Sequence, residues 1–334
     1  MDFGPVPLAD ALGAILAHSL RAGGRKVSKG RVLDAADLAA LAAAGVVEVT
    51  VARPSAHDLG EAEAARRLAD ALVGPAITAD PPVNGRVNLR ATAPGLLRVD
   101  GRRVRAFNRL DPAVTLATLP DLARVRRGQM VATVKIITYA VAGDLVERAA
   151  LAGAGALGHR PVVLRSAWLV LTDAGQAAGL NDKARRATEA RLRALGMRLA
   201  GVSVVAHRPE ALAEALGAAS ADLLLVLTGA ATSDPRDTGP EGLRMAGGRL
   251  IRFGIPVDPG NLLFLGRLGR RPVIGLPGCA RSPALNGADW VLERVACAVP
   301  IRPADFAAMG VGGLLKDIGL RGAPRDPAPG APEG

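Results

Sequence analysis

The stretch Thr228-Gly229-Ala230-Ala231-Thr232-Ser233-Asp234-Pro235-Arg236-Asp237 gathers three hydroxyls, two carboxylates and a guanidinium around residues with almost no side chain. Small residues let a ligand approach the backbone, and hydroxyls donate or accept as needed. A helix entered near Thr238 or Pro240 would add N–H groups suited to a phosphate. The chemistry this points to is capture of a small phosphorylated ligand. Asp237 has two readings: it caps the following helix, worth about 1 kcal/mol, or it is a carboxylate of a magnesium or phosphate site. Asp234, followed by Pro235, either initiates a turn or joins that site.

One other loop begins in the same way. Leu169-Val-Leu-Thr172-Asp173 parallels Val226-Leu-Thr228-Gly229, an apolar run ending in threonine. A third apolar run, Val273–Leu276, is followed directly by Pro277-Gly278-Cys279, where a binding loop is expected. Gly278 serves either a tight turn or close approach of a ligand. Cys279 reads as a small buried hydrophobe sooner than as a nucleophile, since no histidine is near it in sequence. His18, His57, His159 and His207 have no metal-ligand spacing and are expected at the surface or an interface.

With these residues in place, a resemblance is visible. TGAATSDPRD resembles the T-G-G-T-G-x-x-x-R-D loop of molybdopterin adenylyltransferases, with Thr228, Gly229, Arg236 and Asp237 in register. Further on, VDPGNLLFLGRLGRRPVIGLPGCARSP resembles the K-P-G-K-P…G-L-P-G-N-P-x-S stretch of molybdopterin molybdotransferases. It shares Pro259, Gly260, Gly266, Pro272, Gly275, Leu276, Pro277, Gly278 and Ser282. The likeness covers about residues 161–300, with a weaker echo of the molybdotransferases at 1–52. It departs where Gly-Gly-Thr-Gly becomes Gly229-Ala230-Ala231-Thr232, and where the two lysines become Asp258 and Asn261. Arg281 restores one charge.

The resemblance implies a MoaB/Mog-like domain that binds molybdopterin. Its pterin contacts would come from Thr172, Asp173, Thr228, Gly229, Ala230, Thr232, Ser233, Arg236, Pro259, Gly260, Asn261, Pro277, Gly278, Cys279, Arg281 and Ser282. Asp237 would be the catalytic carboxylate and, with Asp234, the metal site, if Mg²⁺ and ATP or AMP take part. Two activities are then open, adenylylation of the pterin phosphate or molybdate insertion. The alternative is a carrier that passes the cofactor to a nucleotidyltransferase or an apo-molybdoenzyme. A pyridine-nucleotide amidohydrolase is a third reading, and its G-G-L-G-P-T-x-D-D loop is matched less well.

Such loops need rigid elements behind them. Apolar runs at Trp168–Leu171, Val202–Val205, Leu223–Leu227 and Val273–Leu276 alternate with helical stretches, the pattern of a mostly parallel sheet covered on both faces. One helix is expected from near Asn181 to Gly196, with Thr188, Leu192 and Leu195 inward. Another starts at Pro209, and a last one carries Trp290, Leu292 and Val295 on its buried face. This predicts a three-layer α/β/α domain over 159–302. An α+β region at 1–158 precedes it, and an extension at 303–334 follows whose Pro- and Gly-rich end reads as disordered. In the first region Asp34 should cap a helix ended by Gly45, a strand should follow at Val46–Val51, and a helix should span Glu61 to Leu72. Gly153-Ala-Gly155-Ala-Leu-Gly158 matches G-x-G-x-x-G, but helix precedes it and strand follows, so it reads as a flexible linker and not a dinucleotide loop.

The chain has 334 residues, enough for two domains, with 49% apolar residues and only 2% aromatics. So few rings argue against stacking of nucleic-acid bases, and the +11 charge is spread over scattered arginines. The expected partner is a small pterin phosphate, with no nucleic acid and no membrane, and a homo-oligomer is expected. Two cysteines exclude a disulfide framework. No signal-like N-terminus and no long apolar run occur, so the cytoplasm is expected.

Overall fold

The computed structural model describes residues 1–175 and 179–315, so the Pro- and Gly-rich end lies outside the described residues. The chain forms two compact units, Met1–Pro161 and the part from Val162 onward.

In the first unit, Asp34 caps the helix Ala35–Ala43, and Asp37 returns the bond to the Asp34 amide in a capping box. Gly45 takes positive φ beyond that helix, and Glu48–Arg53 then pairs antiparallel with Asp2–Pro7. The helix Glu61–Leu72 buries Ala64, Ala65, Leu68, Ala69 and Leu72, the i, i+3, i+4 stripe of an amphipathic helix. That stripe packs in one core with Val87 and Leu89 of the strand Arg86–Ala91 and Val134 and Ile136 of Met130–Ile136.

The glycines at 153–158 do not form a linker. Gly153 ends the helix Gly143–Gly153, and a Cβ there would lie 2.8 Å from a Leu72 methyl. Gly155 turns the chain with φ +72°, and Gly158 belongs to the strand Leu157–Pro161, paired antiparallel with Gly95–Val99. Helix packing, a turn and a strand account for three glycines whose spacing mimics a motif.

The second unit is a six-stranded sheet between two helical layers. Its elements are β1 (Ser166–Asp173), α1 (Leu180–Ala194), β2 (Arg198–Ala206), α2 (Pro209–Ala218), β3 (Leu223–Leu227), α3 (Thr238–Met245), β4 (Arg249–Phe253), β5 (Phe264–Leu268), β6 (Arg271–Gly275), α4 (Gly287–Ala296) and α5 (Pro303–Ala308). The strand order is β2-β1-β3-β6-β5-β4. β1, β2, β3 and β6 run parallel, and β5 is antiparallel to both neighbours.

The alternating residues of these strands feed two cores, which is why the strands are apolar without a break. Leu169 and Leu171 face Leu192 of α1, Val291 and Leu292 of α4 and Phe306 of α5. Val170, Leu224 and Val226 face Leu212 and Leu216 of α2 and Leu243 of α3. Phe306 and Met309 are buried in the first of these cores, so the packed domain runs past residue 302. At Gly275, where the family pattern also has glycine, a Cβ would overlap the Phe264 ring on the neighbouring strand.

Candidate functional site

Because β1, β2, β3 and β6 are parallel, their carboxyl ends share one edge of the sheet, where ligands collect in open α/β folds. β1 ends at Thr172 and Asp173, β2 leads to His207, β3 leads to Thr228, and β6 leads to Pro277 and Gly278. The order also reverses here. From β1 the chain crosses to β2 on one side, then returns through α2 to β3 on the other.

The threonines hold this edge together. Thr172 is fully buried; its Oγ1 accepts the Gly229 N–H at 2.9 Å and lies 2.7 Å from His207 Nδ1. The Thr228 hydroxyl donates to the Ala230 carbonyl at 2.7 Å and meets the Thr232 hydroxyl at 3.1 Å. These hydroxyls shape the 229–232 turn. What the turn presents outward is backbone. Ala230 and Ala231 are exposed, and among the described residues the N–H groups of Ala230, Ala231 and Thr232 have no acceptor.

A cation reaches the start of this turn. Arg281, on the 3-10 turn Gly278–Arg281 after β6, donates from its guanidinium to the Thr228 carbonyl at 2.7 Å. Its Nε is buried and has no hydrogen-bond partner among the described residues. Burial lowers the pKa of this guanidinium, so an anion would relieve an unfavourable position.

The carboxylates are engaged elsewhere. Asp237 is the N-cap of α3: one oxygen accepts the Thr238 N–H at 2.7 Å and the other the Ser233 N–H at 3.0 Å. Asp234 accepts the Arg236 amide at 2.8 Å and its Nε at 3.0 Å, and this guanidinium holds the carboxyl below its usual range. The Arg236 side chain is otherwise in solvent, 86% exposed. Asp173 accepts the Gly175 N–H at 2.8 Å in a local turn. Among the described residues no group of three or more His, Cys, Asp or Glu is placed to hold a metal ion. The side chains as folded do not fit a carboxylate Mg²⁺ site, since both aspartates are held by donors of their own loop.

Pro259, Gly260 and Asn261 brace a helix end. The Pro259 carbonyl accepts the Gly287 N–H at 2.8 Å, and a Cβ on Gly260 would lie 2.5 Å from the Gly287 nitrogen. Asn261 is exposed, and its carbonyl accepts the Ile255 N–H at 3.0 Å. Close packing therefore accounts for this Pro-Gly pair. Gly278 differs: it is exposed, its φ is not positive, and a Cβ would meet only the tip of Arg281 at 3.5 Å. A turn requiring glycine is not the reason for it. Cys279 is exposed, where the sequence suggested a buried residue; desolvation, aided by Asp258 and Asp289, raises its thiol pKa. Ser282 accepts the Ala284 N–H at 3.3 Å and stays within its own loop.

Two residues here were not among the expected site residues. His207, expected at the surface or an interface, is the partner of Thr172. Arg191 of α1 is buried and donates to Asp289 at 2.7 Å, and to the carbonyls of Ala280, Ser282 and Ala284 at 2.7, 2.8 and 3.1 Å. Its signal was positional, since it lies three residues after Thr188 and four before Leu195 on the buried stripe.

Among solved structures, the chain is similar to a molybdopterin biosynthesis MoeA protein from Pyrococcus horikosii, with 15% identity, TM-score 0.28, and coverage of 93% of this chain and 77% of that one. It is also similar to a molybdenum cofactor biosynthesis protein from Pyrococcus furiosus, with 14% identity, TM-score 0.23, and coverage of 95% and 67%. The molybdopterin biosynthesis enzyme MoaB from Thermus thermophilus shares 18% identity at TM-score 0.25, over 46% of this chain and all of that one. No curated protein matches the chain. Residues 5–53 match a domain of unknown function (DUF8806). Residues 167–295 match the family described as a probable molybdopterin binding domain. The match lies wholly within the second unit and takes in β1 to β6, most of α4 and the loops at the carboxyl edge. No helix among the described residues is long and apolar enough to cross a membrane.

Proposed function

We propose that the second unit holds molybdopterin at the carboxyl edge of β1, β3 and β6, and that the chain carries the pterin to a partner without itself transferring AMP. The terminal phosphate of the pterin would lie on the amides of Ala230, Ala231 and Thr232, with Arg281 beside it. The recipient would be a nucleotidyltransferase or an apo-molybdoenzyme. The observation that carries this reading is the pairing of an acceptorless run of amides, two of them on the exposed Ala230 and Ala231, with a partly desolvated guanidinium. Fixed dipoles and one cation suit a phosphate and need no metal.

Adenylyl transfer is the second reading. The register of Asp237 with the adenylyltransferase loop favours it. It would require Asp237 to leave the α3 cap, releasing the Thr238 and Ser233 amides, to reach a metal. The test is to titrate the purified protein with molybdopterin under anaerobic conditions by pterin fluorescence, then add Mg²⁺ and ATP. Tight binding with no adenylylated pterin is expected. Absence of binding, or formation of adenylylated pterin, overturns the proposal.

A further inference from the structure

Arg191 is a buried cation on a helix whose other inward residues, Ala184, Ala187, Thr188 and Leu192, are small or apolar. Such a charge is costly unless its donors are matched. Asp289 takes only the Nε. The remaining donors reach the carbonyls of Ala280, Ser282 and Ala284, every second residue of the segment that follows β6, and more weakly that of Ala187 on the same helix. Beyond the 3-10 turn this segment has no helix or strand to satisfy its carbonyls until α4 begins at Gly287. The same Asp289 carboxylate that faces Arg191 also accepts the Asn286 amide at 2.8 Å, so the loop is fixed at its far end too. At its near end the loop carries Gly278 and Arg281, and Arg281 reaches across to the Thr228 carbonyl.

We propose that Arg191 is the positioning residue of the pterin site: its planar fork sets the backbone of residues 280–284 and thereby places Arg281 against the 229–232 turn. This rests on the reading that the turn binds the pterin phosphate. The geometry calls for arginine specifically, because one guanidinium spans a carboxylate and three carbonyls that a lysine ammonium on its single point cannot reach together. Nothing in the packing of α1 alone asks for a charge at this position.

The test compares wild type with Arg191→Lys by amide hydrogen exchange over Cys279–Leu285 without ligand, and by titration with molybdopterin. Exchange in that segment should be at least about tenfold faster in the variant, while the amides of β3 stay as slow as in wild type. The molybdopterin Kd should rise about tenfold or more. In Arg191→Ala, guanidinium ion at low millimolar concentration should restore both, and methylammonium should not. Unchanged exchange in a folded Arg191→Lys overturns the positioning role even if pterin binding stands. A wild type without pterin affinity overturns the binding reading instead, and exchange still decides the part played by Arg191. Should the variants not fold, nitrogen-15 spectra of wild type decide: separate, slowly exchanging Arg191 Nη signals that shift with molybdopterin are expected, and averaged signals that ignore it overturn the proposal.

Discussion

Arg281 and Thr228, 53 residues apart in the sequence, meet at 2.7 Å, guanidinium to carbonyl. This bond ties the loop after β6 to the loop after β3. Among the described residues the Arg281 Nε is buried without a partner, and the Ala230, Ala231 and Thr232 amides of the turn that follows Thr228 also lack acceptors.

Replacing Arg281 with Gln should weaken molybdopterin binding by between about tenfold and a hundredfold, since a hydrogen bond to a charged group is worth about 1.5–3 kcal/mol. Wild-type affinity should fall as salt rises, and the variant should show a flatter dependence. Fluorescence titration at several ionic strengths measures both. An unchanged Kd would remove Arg281 from the site.

Gly278→Val tests ligand approach at the end of β6. The position has ordinary φ and a Cβ would meet only the tip of Arg281 at 3.5 Å, so the substitution should shift stability by less than about 0.5 kcal/mol in urea unfolding. Pterin affinity should nevertheless be largely lost, because the isopropyl group would stand over the exposed start of the 3-10 turn. Retained affinity would mean the pterin does not approach this backbone.

Asp237→Asn separates a helix cap from a metal ligand. Asn is as good an N-cap as Asp, so stability should change by less than about 1 kcal/mol. In a carrier, pterin affinity stays the same or rises slightly as a negative charge leaves the neighbourhood of a phosphate. Loss of a Mg²⁺-dependent AMP transfer in this variant would instead assign the carboxylate to a metal.

The start of β1 should be pH-sensitive through Asp222. Its carboxylate accepts the amides of Arg165 at 2.8 Å and Ser166 at 2.9 Å, and these bonds hold its pKa below the usual range, chiefly through Arg165. A depressed carboxylate contributes stability above its unfolded value and loses it as pH falls through the folded one. Asp222→Ala should therefore cost about 1–2 kcal/mol at neutral pH, discounted for its exposure, with the gap to wild type closing in acid. Urea unfolding from neutral pH down through the carboxylate range checks this; a constant gap would contradict it.

The sequence alone determined the layered sheet, because uninterrupted apolar runs such as Leu223–Leu227 have no stable place except between two helical layers. It also determined where the loops at the carboxyl edge begin, since Thr172, Thr228 and Pro277 each follow such a run directly. Local chemistry was equally legible at Asp34 and Asp237, whose capping bonds join residues only a few positions apart. Only the tertiary structure decided which partners the site residues take. The K-P-G-K-P-like segment holds Pro259 and Gly260 against the N-terminus of α4, the glycines at 153–158 pack and pair within the first unit, and Thr172 meets His207 and Gly229. The four acceptors of Arg191 that lie beyond its own helix, Asp289, Ala280, Ser282 and Ala284, are about 90 residues away along the chain. Periodicity reports that a residue faces inward, because that depends on the helix alone. What it meets there depends on how distant strands are ordered in the sheet, and no local pattern carries that order.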